Sequence, residues 1–123
     1  MAQIEITIGT VVLIVECLDT PTSTTILSAL PTQSSANTWG QEVYFSVPVS
    51  VAKEASAKDV VEYGEIAFWV EGNCIAIGYG PTPISKGDEI RLAAKTNIWA
   101  HTKNDLTPLA GVREGYQVSL KRV

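Results

Sequence analysis

Two stretches of strand-forming residues, Ile66–Val70 and Cys74–Tyr79, are separated only by Glu71-Gly72-Asn73. Glycine and asparagine in so short a connection supply the left-handed backbone that a hairpin turn needs, so the two stretches fold back on each other as antiparallel strands. The same grammar recurs along the chain. Ala2–Ile8 alternates, with Ile4, Ile6 and Ile8 set against Gln3, Glu5 and Thr7, which reads as a strand buried on one face. Gly9-Thr10 turns it into Val11–Cys17, a nearly continuous apolar run expected at the centre of a sheet.

Asp19-Thr20-Pro21 then opens a helix, because a capping oxygen followed by proline at the first helical position satisfies one orphan amide and presets φ. Ile26, Leu27 and Leu30 form its apolar stripe, and Pro31 ends it. A Ser/Thr/Asn loop is expected from Pro31 to Gly40, then a strand over Glu42–Val49, an irregular or weakly helical stretch over Ala52–Lys58 and a short strand over Asp59–Tyr63. Gly80-Pro81-Thr82-Pro83 reads as a rigid loop. Ile90–Leu92 and Thr96–His101 read as separate strands, Asp105–Leu109 as one helical turn, and Tyr116–Lys121 as the closing strand. Some seven or eight short strands with one early helix predict a mainly β fold, a small closed or nearly closed barrel, over one domain spanning residues 1–123.

Composition excludes several functions. Hydrophobic residues make up 46% and charged residues 18%, a globular and not a disordered balance. The net charge of -4, with Lys121-Arg122 the one basic pair, argues against a nucleic-acid partner. No run approaches the roughly 20 apolar residues of a membrane span. Met1–Glu16 lacks the basic start of a signal peptide, and Glu5 and Glu16 bracket its apolar part, so a cytoplasmic location is expected. Cys17 and Cys74 then read as small buried side chains in reducing surroundings. The lone His101 and two distant cysteines have no metal-ligand spacing. Gly78-Tyr79-Gly80 begins like a dinucleotide loop, but Pro81 and Pro83 prevent the helix that must follow. No cofactor is expected.

The chemistry concentrates in Asn37–Val49, where a turn bearing Trp39 and Gly40 meets an alternating strand. Val43, Phe45 and Val47 share the face expected inside the barrel; Glu42, Tyr44 and Ser46 share the other, facing an outer groove. Trp39 suits either a plug at the barrel end or a groove wall. Phe68 and Trp69 are adjacent, so one faces in and the other out. Trp99 and His101 suit structural positions. The candidate ligand-binding set is Trp39, Glu42, Tyr44, Phe45, Trp69, Tyr79, Pro81 and Thr82, with Phe45 divided between core and pocket wall. No catalytic constellation is recognisable.

Three strings carry a resemblance when taken together and in order: Thr38-Trp39-Gly40-Gln41-Glu42-Val43-Tyr44-Phe45, Val61-Glu62-Tyr63-Gly64-Glu65-Ile66-Ala67-Phe68-Trp69, and Gly80-Pro81-Thr82-Pro83-Ile84-Ser85. Over nearly the whole chain the sequence resembles the small prokaryotic cyclophilin-like family, which implies a reduced cyclophilin barrel. True cyclophilins are prolyl isomerases whose catalytic strand carries a Phe-His-Arg core, the arginine acting on the amide at the proline nitrogen. The strand that resembles it here reads Val43-Tyr44-Phe45-Ser46-Val47 and has no arginine. The Gly80–Ser85 loop resembles the cyclophilin Gly-Pro-Asn-Thr region, which implies shared architecture.

Three readings of function follow. The leading one is a non-catalytic or weakly active module that binds a peptide or small ligand in an aromatic groove. The alternatives are an enzyme, either a peptidyl-prolyl cis-trans isomerase or one with Glu42 as general base, and a homo-oligomeric interaction protein, for instance a homodimer.

Overall fold

A computed structural model describes residues 2–123. The N-terminal alternation folds as a hairpin of β1 (Gln3–Ile8) and β2 (Val11–Cys17), in register from Gln3 opposite Glu16 to Ile8 opposite Val11. Ile4, Ile6 and Ile8 project into the core together with Leu13 and Val15. Helix α1 (Pro21–Ser28) follows, capped by Thr20, whose hydroxyl accepts from the Ser23 amide, with Pro21 in the first turn. Its Ile26 reaches the core, and the Ser23 hydroxyl donates to the Trp99 carbonyl.

The remaining strands are β3 (Thr32–Ser35), β4 (Asn37–Thr38), β5 (Glu42–Ser46), β6 (Lys58–Val61), β7 (Glu65–Trp69), β8 (Cys74–Gly78), β9 (Ile90–His101) and β10 (Gln117–Arg122), with a 3-10 turn at Thr107–Gly111 before the last. Nine of the ten described strands follow one path, β3-β10-β1-β2-β9-β7-β8-β5-β4, while β6 pairs with β9 off that path. The two ends of the path, β3 and β4, are consecutive in the chain with buried Ala36 between them, and Ser34 and Ser46 bring their hydroxyls to 3.4 Å across the seam. The result is a nearly closed barrel with one α-helix.

Two sequence expectations are corrected. Pro31–Gly40 is not a loop: β3 pairs with β10 and β4 with β5. The hydroxyl and amide side chains there have weak strand preference, but neighbouring strands offer unpaired backbone groups, and that outweighs local propensity. Ile90–Leu92 and Thr96–His101 are not two strands but one, β9, which continues through Ala93-Ala94-Lys95. The described strands accordingly number ten.

This long strand changes partners midway. Its first half pairs with β6, Ile90 opposite Val61 and Thr96 opposite Lys58. Its second half pairs with β7, Asn97 opposite Phe68 and Ala100 opposite Ile66, and touches β2 at its end. A bulge lies between Ile66 and Ala67, where an extra residue bends the strand and re-aims side chains. At the crossover Asn97 is fully buried and fully engaged. Its side-chain amide donates to the Ala52 carbonyl at 3.0 Å and to the Thr22 hydroxyl at 3.1 Å, and its oxygen accepts from the Glu54 amide at 2.8 Å. One side chain thus ties β9 to α1 and to the irregular 50–57 segment.

The main core is built from the inward faces of these strands. Val43 and Phe45 of β5, Ile66 and Phe68 of β7, Ile75 and Ile77 of β8, and Val118 and Leu120 of β10 meet there with Trp99, Leu106 and Leu109. A smaller cluster of Val61, Ala67, Ala76, Ile90 and Leu92 lies on the other face of the sheet. Fully burying one aliphatic or aromatic side chain is worth about 1.5–3 kcal/mol, so the main core dominates stability. The smaller one shapes a surface feature.

Candidate functional site

Alternation along β5 puts Val43 and Phe45 in the core and Glu42 and Tyr44 on the opposite face. Directly across on β8 stand Gly78, opposite Glu42, and Ala76, opposite Tyr44. Ala76 leaves space above the sheet that a larger side chain would fill, while at Gly78 the missing side chain makes room for Ile90 of β9. The first half of β9 passes over this space instead of lying in the main sheet. The outcome is a pocket of about 170 Å³ lined by Trp39, Glu42, Tyr44, Trp69, Ala76, Leu92, Ala93, Ala94 and Thr96.

The turn before β5 sets Trp39 and Glu42. The Trp39 amide donates to the Glu42 carbonyl at 3.0 Å, and Gly40 takes φ +58° to close the turn. The Gln41 amide donates to the Pro81 carbonyl at 3.0 Å, and the Tyr79 amide to the Gln41 carbonyl at 2.8 Å. The Gly80–Ser85 loop is itself pinned to β9, since the Thr82 hydroxyl donates to the Arg91 carbonyl and the Arg91 amide donates to Ser85 Oγ at 3.1 Å. At the far wall Trp69 lies against Gly72, where a Cβ would clash with the indole. The hairpin glycine therefore serves the ring position, while Asn73, at φ +52°, supplies the left-handed backbone of the turn.

Glu42 is the chemically unusual member. It is only 7% exposed, and its Oε1 is buried with no hydrogen-bond partner among the described residues. Burial, which disfavours the charged form, pushes its carboxyl up to about 7. Near neutral pH the group is therefore about half ionised, a carboxyl able to act as donor, acceptor or anion. Burial, and secondarily the Glu42 charge, also pushes the Cys74 thiol up.

The structure brings together four of the residues singled out from sequence: Trp39, Glu42, Tyr44 and Trp69 line one pocket. It does not bring in the other four. Phe45 is fully buried in the main core, on the strand face opposite Glu42, so its place is structural. Tyr79 is half-buried and packs against the same core, with its hydroxyl pushed up by burial. Pro81 and Thr82 support the Trp39–Gln41 turn from behind and do not line the pocket. Trp99 is fully buried, its indole N–H donating to the Ala67 carbonyl at 3.3 Å, and His101 is exposed and outside the pocket. Sequence reasoning missed the lining residues of β8 and β9. Ala76, Leu92, Ala93 and Ala94 bear no functional group, and the only signal was the unbroken small-residue run at 93–94.

Catalytic groups are sparse around the carboxyl. Arg91 does not line the pocket; its guanidinium is held by Glu89 at 2.6 Å and Asp59 at 3.3 Å. Among the described residues no three of His, Cys, Asp and Glu gather as a metal site would require, and no helix is long and apolar enough to cross a membrane.

Comparison with known proteins agrees with this architecture. The solution structure of a hypothetical protein from Archaeoglobus fulgidus superposes with a TM-score of 0.85 at 37% sequence identity, covering 99% of this chain and 95% of that one. No curated protein matches the sequence significantly. A family model described as cyclophilin-like matches residues 2–121, and the chain belongs to the cyclophilin-like family.

Proposed function

We propose that this protein is a binding module that takes a small ligand, or one side-chain-sized group of a peptide, in the Trp39/Glu42/Tyr44/Trp69 pocket, without prolyl isomerase activity. The observation that carries the reading is the unpartnered, buried Oε1 of Glu42 among three large rings. A buried polar atom without a partner is destabilising by about 1–3 kcal/mol, and a ligand that supplies the partner recovers that energy as affinity. The pocket's volume of about 170 Å³ lies below the roughly 300–1,000 Å³ of sites for drug-sized ligands, which fits one compact group.

The lining supports the reading without isomerase activity. Twisting a prolyl amide is accelerated by a donor aimed at the amide, preorganised in a dry site. Among the described lining residues there is no arginine, lysine or histidine.

The test is an NMR titration of isotope-labelled protein with small aliphatic and aromatic fragments and with short Ala-Xaa-Pro peptides, recording proline exchange in the same tubes. Shifts centred on Trp39, Glu42, Tyr44 and Trp69 with unaccelerated exchange are expected. Accelerated exchange would make the protein an isomerase, and an unperturbed pocket with every probe would remove the binding reading.

A further inference from the structure

Within the binding reading just given, on which this inference rests, we propose that the group the pocket recognises is an alkylammonium cation, an N–H donated to Glu42 and its alkyl groups against Trp39, Tyr44 and Trp69.

The argument begins with charge. The Glu42 residue is more than nine-tenths buried, and its Oε1 lacks a partner among the described residues. Among the described residues no cation answers it: Lys58 pairs with Glu65, Arg91 pairs with Glu89 and Asp59, and neither lines the pocket. The rings add to the same preference, because aromatic faces carry negative quadrupole density and attract cations within about 6 Å. A site with a carboxyl, two indoles and a phenol but no positive charge is complementary to a cation.

The walls then select the kind of cation. The lining acceptors are the Glu42 carboxylate, the Tyr44 hydroxyl and the Thr96 hydroxyl oxygen, whose own proton goes to the Lys58 carbonyl at 3.0 Å. Ala76, Leu92, Ala93 and Ala94 are apolar walls that offer an ammonium N–H nothing, so alkyl groups suit that side of the site. An ammonium with an N–H toward Glu42 and alkyl groups toward the rings and alanines matches this lining.

Binding of a cation favours ionised Glu42 and so couples to pH. Tyr44 on the same strand and Cys74 on β8 are the titratable neighbours; Lys95 on β9 is exposed and outside the lining. Burial is the cause of the carboxyl's raised pKa, about 7. Affinity for a cation should therefore fall about tenfold per pH unit below that value and level off above it.

The experiment titrates the protein and its Glu42→Gln variant with trimethylammonium and with neutral tert-butanol, read by NMR shifts and calorimetry from pH 5 to 8. A short peptide carrying dimethyllysine forms a third arm. Trimethylammonium should perturb Trp39, Tyr44 and Trp69, bind at least tenfold more weakly to the variant, and weaken on acidification, while tert-butanol binds less tightly and ignores both changes. Tighter binding of the peptide than of the free amine would place the ammonium on a chain; equal binding would assign it to a free small molecule. Trimethylammonium binding no tighter than tert-butanol, or indifferent to the substitution, would overturn the cation proposal. If tert-butanol or other fragments still perturb the pocket, the binding reading itself stands; if nothing does, both fall. Retained NMR dispersion of the variant shows that it folds.

Discussion

A Cβ on Gly40 would lie 2.9 Å from Thr82 Cα and 2.7 Å from Pro83 Cδ. The turn bearing Trp39 and Glu42 is thus seated on the Gly80–Ser85 loop with no room for a side chain. The loop that looked like a ligand contact from sequence is a buttress for the residues that line the pocket.

Gly40→Ala should therefore act in two ways at once. The left-handed φ of +58° disfavours any L side chain by roughly 1–2 kcal/mol, and the clash with Thr82 backbone adds to it. Denaturant unfolding should show a loss of at least about 2 kcal/mol, and Trp39 fluorescence should shift as the turn is displaced. Unchanged stability would mean that the turn yields freely.

Glu42 should make stability fall as pH rises. Its folded pKa of about 7 lies above the unfolded value near 4.5, so the folded state holds the proton more tightly between these two values. Stability due to this group is then greatest below about pH 4.5, declines through pH 7 and is level above it. The difference is about 3 kcal/mol. Glu42→Gln should abolish that slope and be more stable than the parent at pH 8, by about 2–3 kcal/mol. Melting curves across pH for both proteins check this; parallel profiles would contradict it.

Truncation of the neighbours Tyr44 and Phe45 should be felt in different measurements. Phe45 is fully buried in the main core, so Phe45→Ala should lose about 3–5 kcal/mol. Tyr44 is half-buried and lines the pocket. Tyr44→Ala should leave most of the stability in place while removing fragment-induced NMR shifts at Trp39 and Trp69. Equal destabilisation by the two would show that the outer face is as structural as the inner.

Asn97 should be the most sensitive polar position. Asn97→Ala strands the Glu54 amide and the Ala52 carbonyl, both bonded to its side chain. A loss of about 3 kcal/mol is expected, together with faster hydrogen exchange confined to the 50–57 segment and the middle of β9. Exchange unchanged there would mean that water replaces the lost bonds.

Much of the fold was legible in order along the chain because its rules are local. The Ile4/Ile6/Ile8 alternation, the Thr20-Pro21 helix start and the Glu71-Gly72-Asn73 hairpin each act within a few residues, and all three appear in the structure. Period-two alternation likewise put Phe45 and Glu42 on opposite faces of one strand. What local rules could not supply is pairing at a distance. Thr32–Ser35 becomes a strand because Val118 and its neighbours on β10 lie beside it, not because of its own preferences. Ala93-Ala94-Lys95 stays extended because β9 must pass from β7 to β6, and that crossing raises the wall over Gly78 and Ala76. The sequence by itself determined which side chains could serve a site: two indoles, a phenol and one isolated carboxyl. Only the tertiary structure decided that Trp39, Glu42, Tyr44 and Trp69 meet, and that Tyr79, Pro81 and Thr82 lie outside the lining. The reason is physical: burial and desolvation of Glu42 arise from residues far away in the chain, and no periodicity encodes them.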